Sequence, residues 1–327
     1  MNPFDLIFIE SFLISLSACL LLLPPYIKKA KQVGITGVDI HKPGLPAIAE
    51  CGGVILILAY LLGLFFFVPF NTGLFNVELI GTAATVLLAA FIGFIDDIYE
   101  TRWRIKVLTP LLGGVPLSVL RLGRASLQTP FGLLDFAAFG LLGLVLFYAF
   151  IIPFAVTASA NAVNMFAGLN GQEAGSSIIM ALALLFLSFR LNKIDGAIIL
   201  VPFVGTLLAF LFFNKYPSKV FPGDVGTFGM GTVIACAAIL ADLERAALIM
   251  FIPQTINAVL FFIGKLKRVP PPREAQMNSD GTLPAPSIWS LRSVLLRIHP
   301  MKEKTLVYIM LLLVAAFSIA GMLAYGI

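Results

Sequence analysis

"ELIGTAATVLLAAFIGFIDDIYETRWRIK", residues 78–106, decides the fold and poses the functional question. From Leu79 to Ile95 it is apolar apart from two threonines, long enough to cross the hydrocarbon core of a bilayer as a helix. The run then ends on Asp96 and Asp97, with Arg102, Arg104 and Lys106 close behind. Negative charge at a helix C-terminus opposes the helix dipole. Two adjacent carboxylates also repel one another, so this pair calls for a cation.

The rest of the chain repeats the apolar pattern. Of 327 residues 59% are hydrophobic and 12% charged, with a mean hydropathy of +1.00. Ten runs read as membrane spans: 6–26, 51–69, 78–95, 105–121, 136–158, 173–190, 196–213, 225–241, 245–264 and 305–325. Pro110, Gly113, Gly114 and Pro116 interrupt the fourth, which a membrane helix tolerates when its neighbours satisfy the freed backbone groups. The expected fold is therefore an all-α polytopic membrane protein of about ten transmembrane helices. It forms a single transmembrane domain over 1–327 with a cytoplasmic loop at about 265–304. The first span has no basic leader and no small-residue cleavage site, and reads as a retained helix. The net charge of +5 reports topology, and no nucleic-acid partner is expected. Cys19, Cys51 and Cys236 form no CxxC, and His41 and His299 are too few for a histidine-rich metal centre.

Charge orients the spans. Of the 22 Lys and Arg, 17 fall in the loops after the odd-numbered spans and 5 after the even-numbered ones. The positive-inside rule places the odd loops in the cytoplasm and both termini outside. The longest loop opens on a proline run that excludes helix, and its later "SIWSLRSVLLRI" has the spacing of a short amphipathic surface helix. On the other side "RASLQTPFGLLDF" fits a small hairpin.

The polar motifs all fall in the odd loops, and the even loops hold nothing comparable. Loop 1, "GITGVDIHKPGLPAIAECGG", carries Asp39, Lys42 and Glu50; loop 5, "SANAVNMFAGLNGQEAG", carries Asn161, Asn164, Asn170 and Glu173. Asn161 and Asn164 share one helix face, and their amides can ligate a metal or read a base or sugar. Gly168 lets backbone approach a ligand closely. Loop 7, "FPGDVGTFGMG", sets Asp224 in a glycine-rich turn whose amides suit an anion, beside Phe221, which can stack on a base. Lys106 and Arg273 suit a phosphate. Carboxylates, amides and cations with no Ser-His-Asp or Cys-His arrangement disfavour acyl transfer and fit phosphoryl transfer assisted by a hard cation. A transporter is the competing class, and a non-catalytic lipid-binding scaffold a third. Against the transporter, the charges cluster at one membrane face and not at mid-depth.

The order of "GITGVDIHK", "IAECGG", "GFIDDIYETRWRIK", "NAVNMFAGLNGQEAG" and "FPGDVGTFGMG" over nearly the whole chain resembles the polyprenyl-phosphate N-acetylhexosamine-1-phosphate transferases. Within them it is most similar to the eukaryotic and archaeal branch, which acts on UDP-N-acetylglucosamine and dolichyl phosphate. The resemblance implies a Mg²⁺-dependent enzyme, with Mn²⁺ as a substitute. It would move a sugar 1-phosphate from a UDP-sugar to a dolichyl or other polyprenyl phosphate, releasing UMP, at the first membrane step of N-glycan or related glycan assembly. Asn164 and Asp224 match the metal ligands, Asp96 and Asp97 the acidic pair, and Lys106 a lysine near the lipid phosphate. Gly168, Asn170 and Phe221 match the uridine pocket, with Glu50 close by. Arg273 matches the first arginine of a Pro-Arg-His-Arg stretch that contacts sugar and pyrophosphate. Here that stretch reads Pro272-Arg273-Glu274-Ala275, which leaves the sugar open. The histidine-rich loop of the peptidoglycan branch is absent, which argues against a muramyl-pentapeptide substrate. Members of the family are commonly homodimers. The short chain favours an archaeal cell membrane over an endoplasmic reticulum.

Overall fold

A computed structural model describes residues 3–70, 74–99, 101–267, 277–285 and 287–326. Fourteen α-helices follow in order: α1 Pro3–Val33, α2 Gly53–Phe65, α3 Leu74–Tyr99, α4 Trp103–Leu108, α5 Val115–Val119, α6 Gly140–Leu146, α7 Ile152–Phe166, α8 Gln172–Arg190, α9 Ile194–Asn214, α10 Gly223–Leu240, α11 Glu244–Met250, α12 Ile252–Leu266, α13 Leu291–Ile298 and α14 Glu303–Leu323. A π-helical turn, Phe147–Ile151, joins α6 to α7 in one long span. The protein is a polytopic all-α membrane protein: among the described residues eight helices are long and apolar enough to cross a membrane, and the pair α11–α12, bent by 55°, makes nine if it counts as one span.

The fourth predicted span, 105–121, is where structure and expectation differ. It is not one helix but α4, a 3₁₀ segment at Thr109–Gly114, and α5. It still crosses. Lys106 at its start pairs with Asp224 at the beginning of α10. Gly123 just beyond its end lies against Ile239, near the end of the same helix. The 18 residues of α10 rise about 27 Å. Pro110 and Pro116 break the hydrogen-bond ladder, and α3 and α7 cover the break.

Helix α10 is buried along nearly all its length and packs against α2, α3, α7, α8 and α9. Helices without polar side chains have little to hold them together in lipid, so buried hydroxyls contribute. Ser11 donates to the Gly63 carbonyl between α1 and α2 (2.8 Å), and Ser159 to the Gly231 carbonyl between α7 and α10 (2.6 Å).

Two antiparallel hairpins decorate opposite faces. Loop 1, read from sequence only as a polar loop, folds as β1 Thr36–Val38 on β2 Ala47–Ala49. The predicted hairpin on the other side forms as β3 Ser126–Thr129 on β4 Gly132–Asp135. The predicted amphipathic helix is α13, with Ser290 accepting from the Ser293 amide as its N-cap. The even-loop face is more polar than expected. Asp242 accepts from Lys193 (2.7 Å) and faces Arg124 (3.5 Å), while Arg245 donates to the Thr129 carbonyl (3.1 Å). These pairs tie the β3–β4 hairpin to the ends of α8 and α10, and Tyr325 beside the C-terminus joins them at the Asp242 carbonyl.

The broken span depends on close backbone approach. A Cβ on Gly114 would lie 2.5 Å from Pro153 Cα of α7. Gly114→Val is expected to cost about 1–3 kcal/mol through overpacking, read as a lower melting temperature in detergent. An unchanged melting temperature would show that the segment does not pack on α7.

Candidate active site

The carboxylate pair at the end of α3 meets the beginning of α10. The backbone N–H groups of Asp224 (2.7 Å) and Val225 (3.1 Å) donate to the Asp97 carboxylate. An acidic group unfavourable at its own helix C-terminus is thus placed at another helix's N-terminus, where amides lack partners and the dipole favours negative charge. Asp96 is buried, receives the Thr101 amide and hydroxyl, and accepts from Lys106 Nζ at 2.7 Å. Lys106 also pairs with Asp224, so two carboxylates converge on one ammonium.

Helix α7 supplies the amides. Asn164 Nδ2 donates to Asp224 and to Thr227 Oγ1 (2.8 Å). Asn161, expected to touch substrate, is not among the residues lining the cavity described below, and its amide donates to the carbonyls of Val107 and Thr157, both at 3.0 Å. It holds in place the segment that carries Lys106.

A cavity of about 450 Å³ opens at this face. Of the sequence-predicted residues, Glu50, Asn164, Gly168, Asn170, Phe221 and Asp224 line it. Asp96, Asp97, Lys106 and Asn161 stand behind Asp224 and do not line it. Arg273 lies outside the described residues.

One wall rests on a network that the sequence did not announce. The Asn170 amide N–H donates to Glu303 (2.8 Å), its Nδ2 to Asp39 (3.1 Å), and its Oδ1 accepts from the Ser218 amide (2.8 Å). Lys42 pairs with Glu303 and with Asp39 (3.1 Å), and lies 4.3 Å over the Tyr216 ring. Asn170 is therefore a junction of loop 1, loop 7 and α14. His41 and Arg292 also line the cavity and were not singled out. Burial, then the Arg292 charge, lowers the His41 pKa to about 4 despite Asp39, so the imidazole is neutral near pH 7.

The donor set suits a hard divalent cation. Asp96 and Asp224 present carboxylate oxygens to a point now held by Lys106, and Thr227 Oγ1 is adjacent. Asn164 turns its nitrogen to Asp224, and rotation of the amide would present Oδ1 there. Asp96, Asp97 and Asp224 outnumber Lys106, leaving negative charge for a cation to neutralise.

Two outcomes follow from this geometry. Asn161→Ala is expected to lower kcat about tenfold or more with the donor KM unchanged, because it loosens Lys106 without touching the cavity. A raised donor KM with normal kcat would instead place Asn161 at the substrate. His41→Gln is expected to leave the shape of the pH–rate profile unaltered between about pH 5.5 and 8, where an ordinary histidine titrates. Loss of an ionisation in that window would show that His41 titrates there.

Comparison with known proteins bears on this site. Residues 79–242 match glycosyl transferase family 4. A Saccharolobus solfataricus protein provisionally named UDP-N-acetylglucosamine–dolichyl-phosphate N-acetylglucosaminephosphotransferase is 32% identical over 305 residues, covering 91% of this chain and 90% of that protein. The Dictyostelium discoideum protein named for the same activity is 29% identical over 290 residues, 77% of this chain and 71% of that one. A Streptococcus uberis phospho-N-acetylmuramoyl-pentapeptide-transferase is 31% identical over 256 residues, 73% of this chain and 74% of that one. The broken fourth span, Asp96, Asp97, Asn164 and Asp224 all lie within the matched region, and the chain belongs to glycosyl transferase family 4, the membrane enzymes that transfer a sugar 1-phosphate to a polyprenyl phosphate.

Proposed function

We propose that this chain transfers N-acetylglucosamine 1-phosphate from UDP-N-acetylglucosamine to dolichyl phosphate or a related polyprenyl phosphate, releasing UMP. The observation that carries this reading is the Asp96–Lys106–Asp224 cluster, with Asn164 beside it, at the edge of the cavity. The sugar and lipid follow the two relatives named for that activity. The archaeal origin of one of them favours an archaeal cell membrane. The excess of basic residues in the odd loops supports a cytoplasmic face for the cavity.

In the proposed reaction an oxygen of the lipid phosphate attacks the sugar-bearing phosphorus. The bond from that phosphorus to the bridging oxygen breaks, and UMP leaves with the electron pair. Catalysis of this kind is mostly positioning and charge stabilisation. Asp224 and Asn164 would hold Mg²⁺, which neutralises the diphosphate when bound. Lys106, fixed by Asp96 below and by Asn161 through Val107, presents its charge to the incoming lipid phosphate. Asp97 is a positioning residue that fixes the first turn of α10 and so the Asp224 side chain. Phe221 and Gly168 form the wall where the uridine would rest. The lipid phosphate is ionised near neutral pH, so a strong general base is not required.

Purified protein in detergent with Mg²⁺, dolichyl phosphate and UDP-N-acetylglucosamine is expected to release UMP, and EDTA to stop it. Asp224→Asn is expected to retain its fold and fall below about 1% of wild-type turnover. Release with a different UDP-sugar alone would replace the donor. Near wild-type activity in Asp224→Asn would remove Asp224 from the metal site.

A further inference from the structure

The cations around the cavity are not alike. Lys106 is paired with Asp96 and Asp224, and Lys42 with Asp39 and Glu303. Arg292 projects into the cavity from α13; it feels the charge of Glu303 without an ion pair to it, and its hydrogen bond among the described residues goes to a neutral acceptor, the Gly168 carbonyl, at 3.3 Å. A guanidinium has five N–H donors, and a single carbonyl leaves most of its planar fork available.

Arg292 is also held in position. Asn257 of α12 accepts the Leu291 amide at 2.9 Å and donates to the Met165 carbonyl at 2.7 Å, clamping the start of α13 to the end of α7. Ser293 and Leu296 bury the inner side of α13. The guanidinium rests against Gly168, whose φ of +121° lies in the left-handed region and where a Cβ would come within 3.0 Å of Nη1. Gly168 follows Asn164 by one turn of chain, and Asn164 touches Asp224. The fork therefore belongs to the same wall as the acidic cluster.

Four carboxylates, those of Asp39, Glu50, Glu173 and Asp224, line this cavity, and a diphosphate entering it meets their repulsion. We propose that Arg292 is the arginine clamp for the diphosphate of the sugar nucleotide, gripping phosphate oxygens through the free edge of its guanidinium. This rests on the nucleotide-sugar reading above and adds a residue to it. Charge-assisted bonds to phosphate are among the strong ones, and Arg supplies them in pairs.

The test is binding of UDP and of uridine, each with Mg²⁺, to wild-type protein, Arg292→Gln and Arg292→Lys in detergent, with melting temperatures as a fold control. Arg292→Gln is expected to weaken UDP about tenfold or more and leave uridine unchanged. Arg292→Lys is expected to recover part of the loss. Should Arg292→Gln fail to fold, Arg292→Met serves in its place, since it keeps an aliphatic stem without the guanidinium. Equal UDP affinity in the mutant and wild type overturns the clamp and leaves the proposed reaction standing. Equal loss of UDP and uridine also overturns it, because the arginine would then support the pocket without reading phosphate. Wild-type protein that binds no UDP overturns the nucleotide-sugar reading and the clamp with it.

Discussion

The contact on which the rest depends is the Asp97 carboxylate accepting the amides of Asp224 and Val225. It joins the end of the half-buried α3 to the start of the buried α10 and satisfies both. The two amides would otherwise be unpartnered at a helix N-terminus, and the carboxylate would oppose its own helix dipole. Once α3 and α10 are joined there, Asp96 and Asp224 are brought to one place, and Lys106 settles between them. The acidic pair thus divides its work: Asp97 builds the site, and Asp96 with Asp224 furnishes its charge.

The broken fourth span belongs to the same logic. A regular helix through 105–121 would fix Lys106 by its own periodicity. In this chain the 3₁₀ segment and the two prolines free α4 from the rest of the span, and α4 is oriented by what it touches. Asn161 holds its Val107 carbonyl from α7, while Asp96 and Asp224 hold its lysine. Irregular backbone at membrane depth is tolerated where protein covers it. Here the covering helices, α3 and α7, are the ones that carry Asp96 and Asn164.

Much of the fold was legible because its signals are local. Apolar runs gave the spans, the turn residues of "TPFG" the β3–β4 hairpin, and the spacing of "SLRSVLLRI" helix α13. The residues lining the cavity were legible as polar types that membrane loops rarely concentrate. What escaped was pairing across distance. Lys42 and Glu303 are 261 residues apart, and no periodicity links them. The partner of Asn161 is a backbone carbonyl, which a sequence does not display. The even loops looked empty because charges were counted singly, whereas Lys193, Arg124 and Asp242 act as a group. Arg292 was read as one basic residue of a surface helix, and only the fold turns it inward to Gly168.

Both substrates of the proposed reaction are anions, yet one is soluble and the other lies in the bilayer, so the site must be approached from two directions. The short helix α4 answers the second. Ile105 and Leu108 are exposed, while Lys106, between them in sequence, is half-buried and turned to the acidic cluster. A polyprenyl chain running along that apolar side would bring its phosphate to the lysine without leaving the bilayer, because an apolar tail gains nothing by entering the aqueous cavity. The cavity, lined by Phe221 and the loop residues, would receive the soluble donor. Asp224 touches both sides, as a wall of the cavity and as the partner of Lys106, so a phosphate from each direction would meet across a single carboxylate.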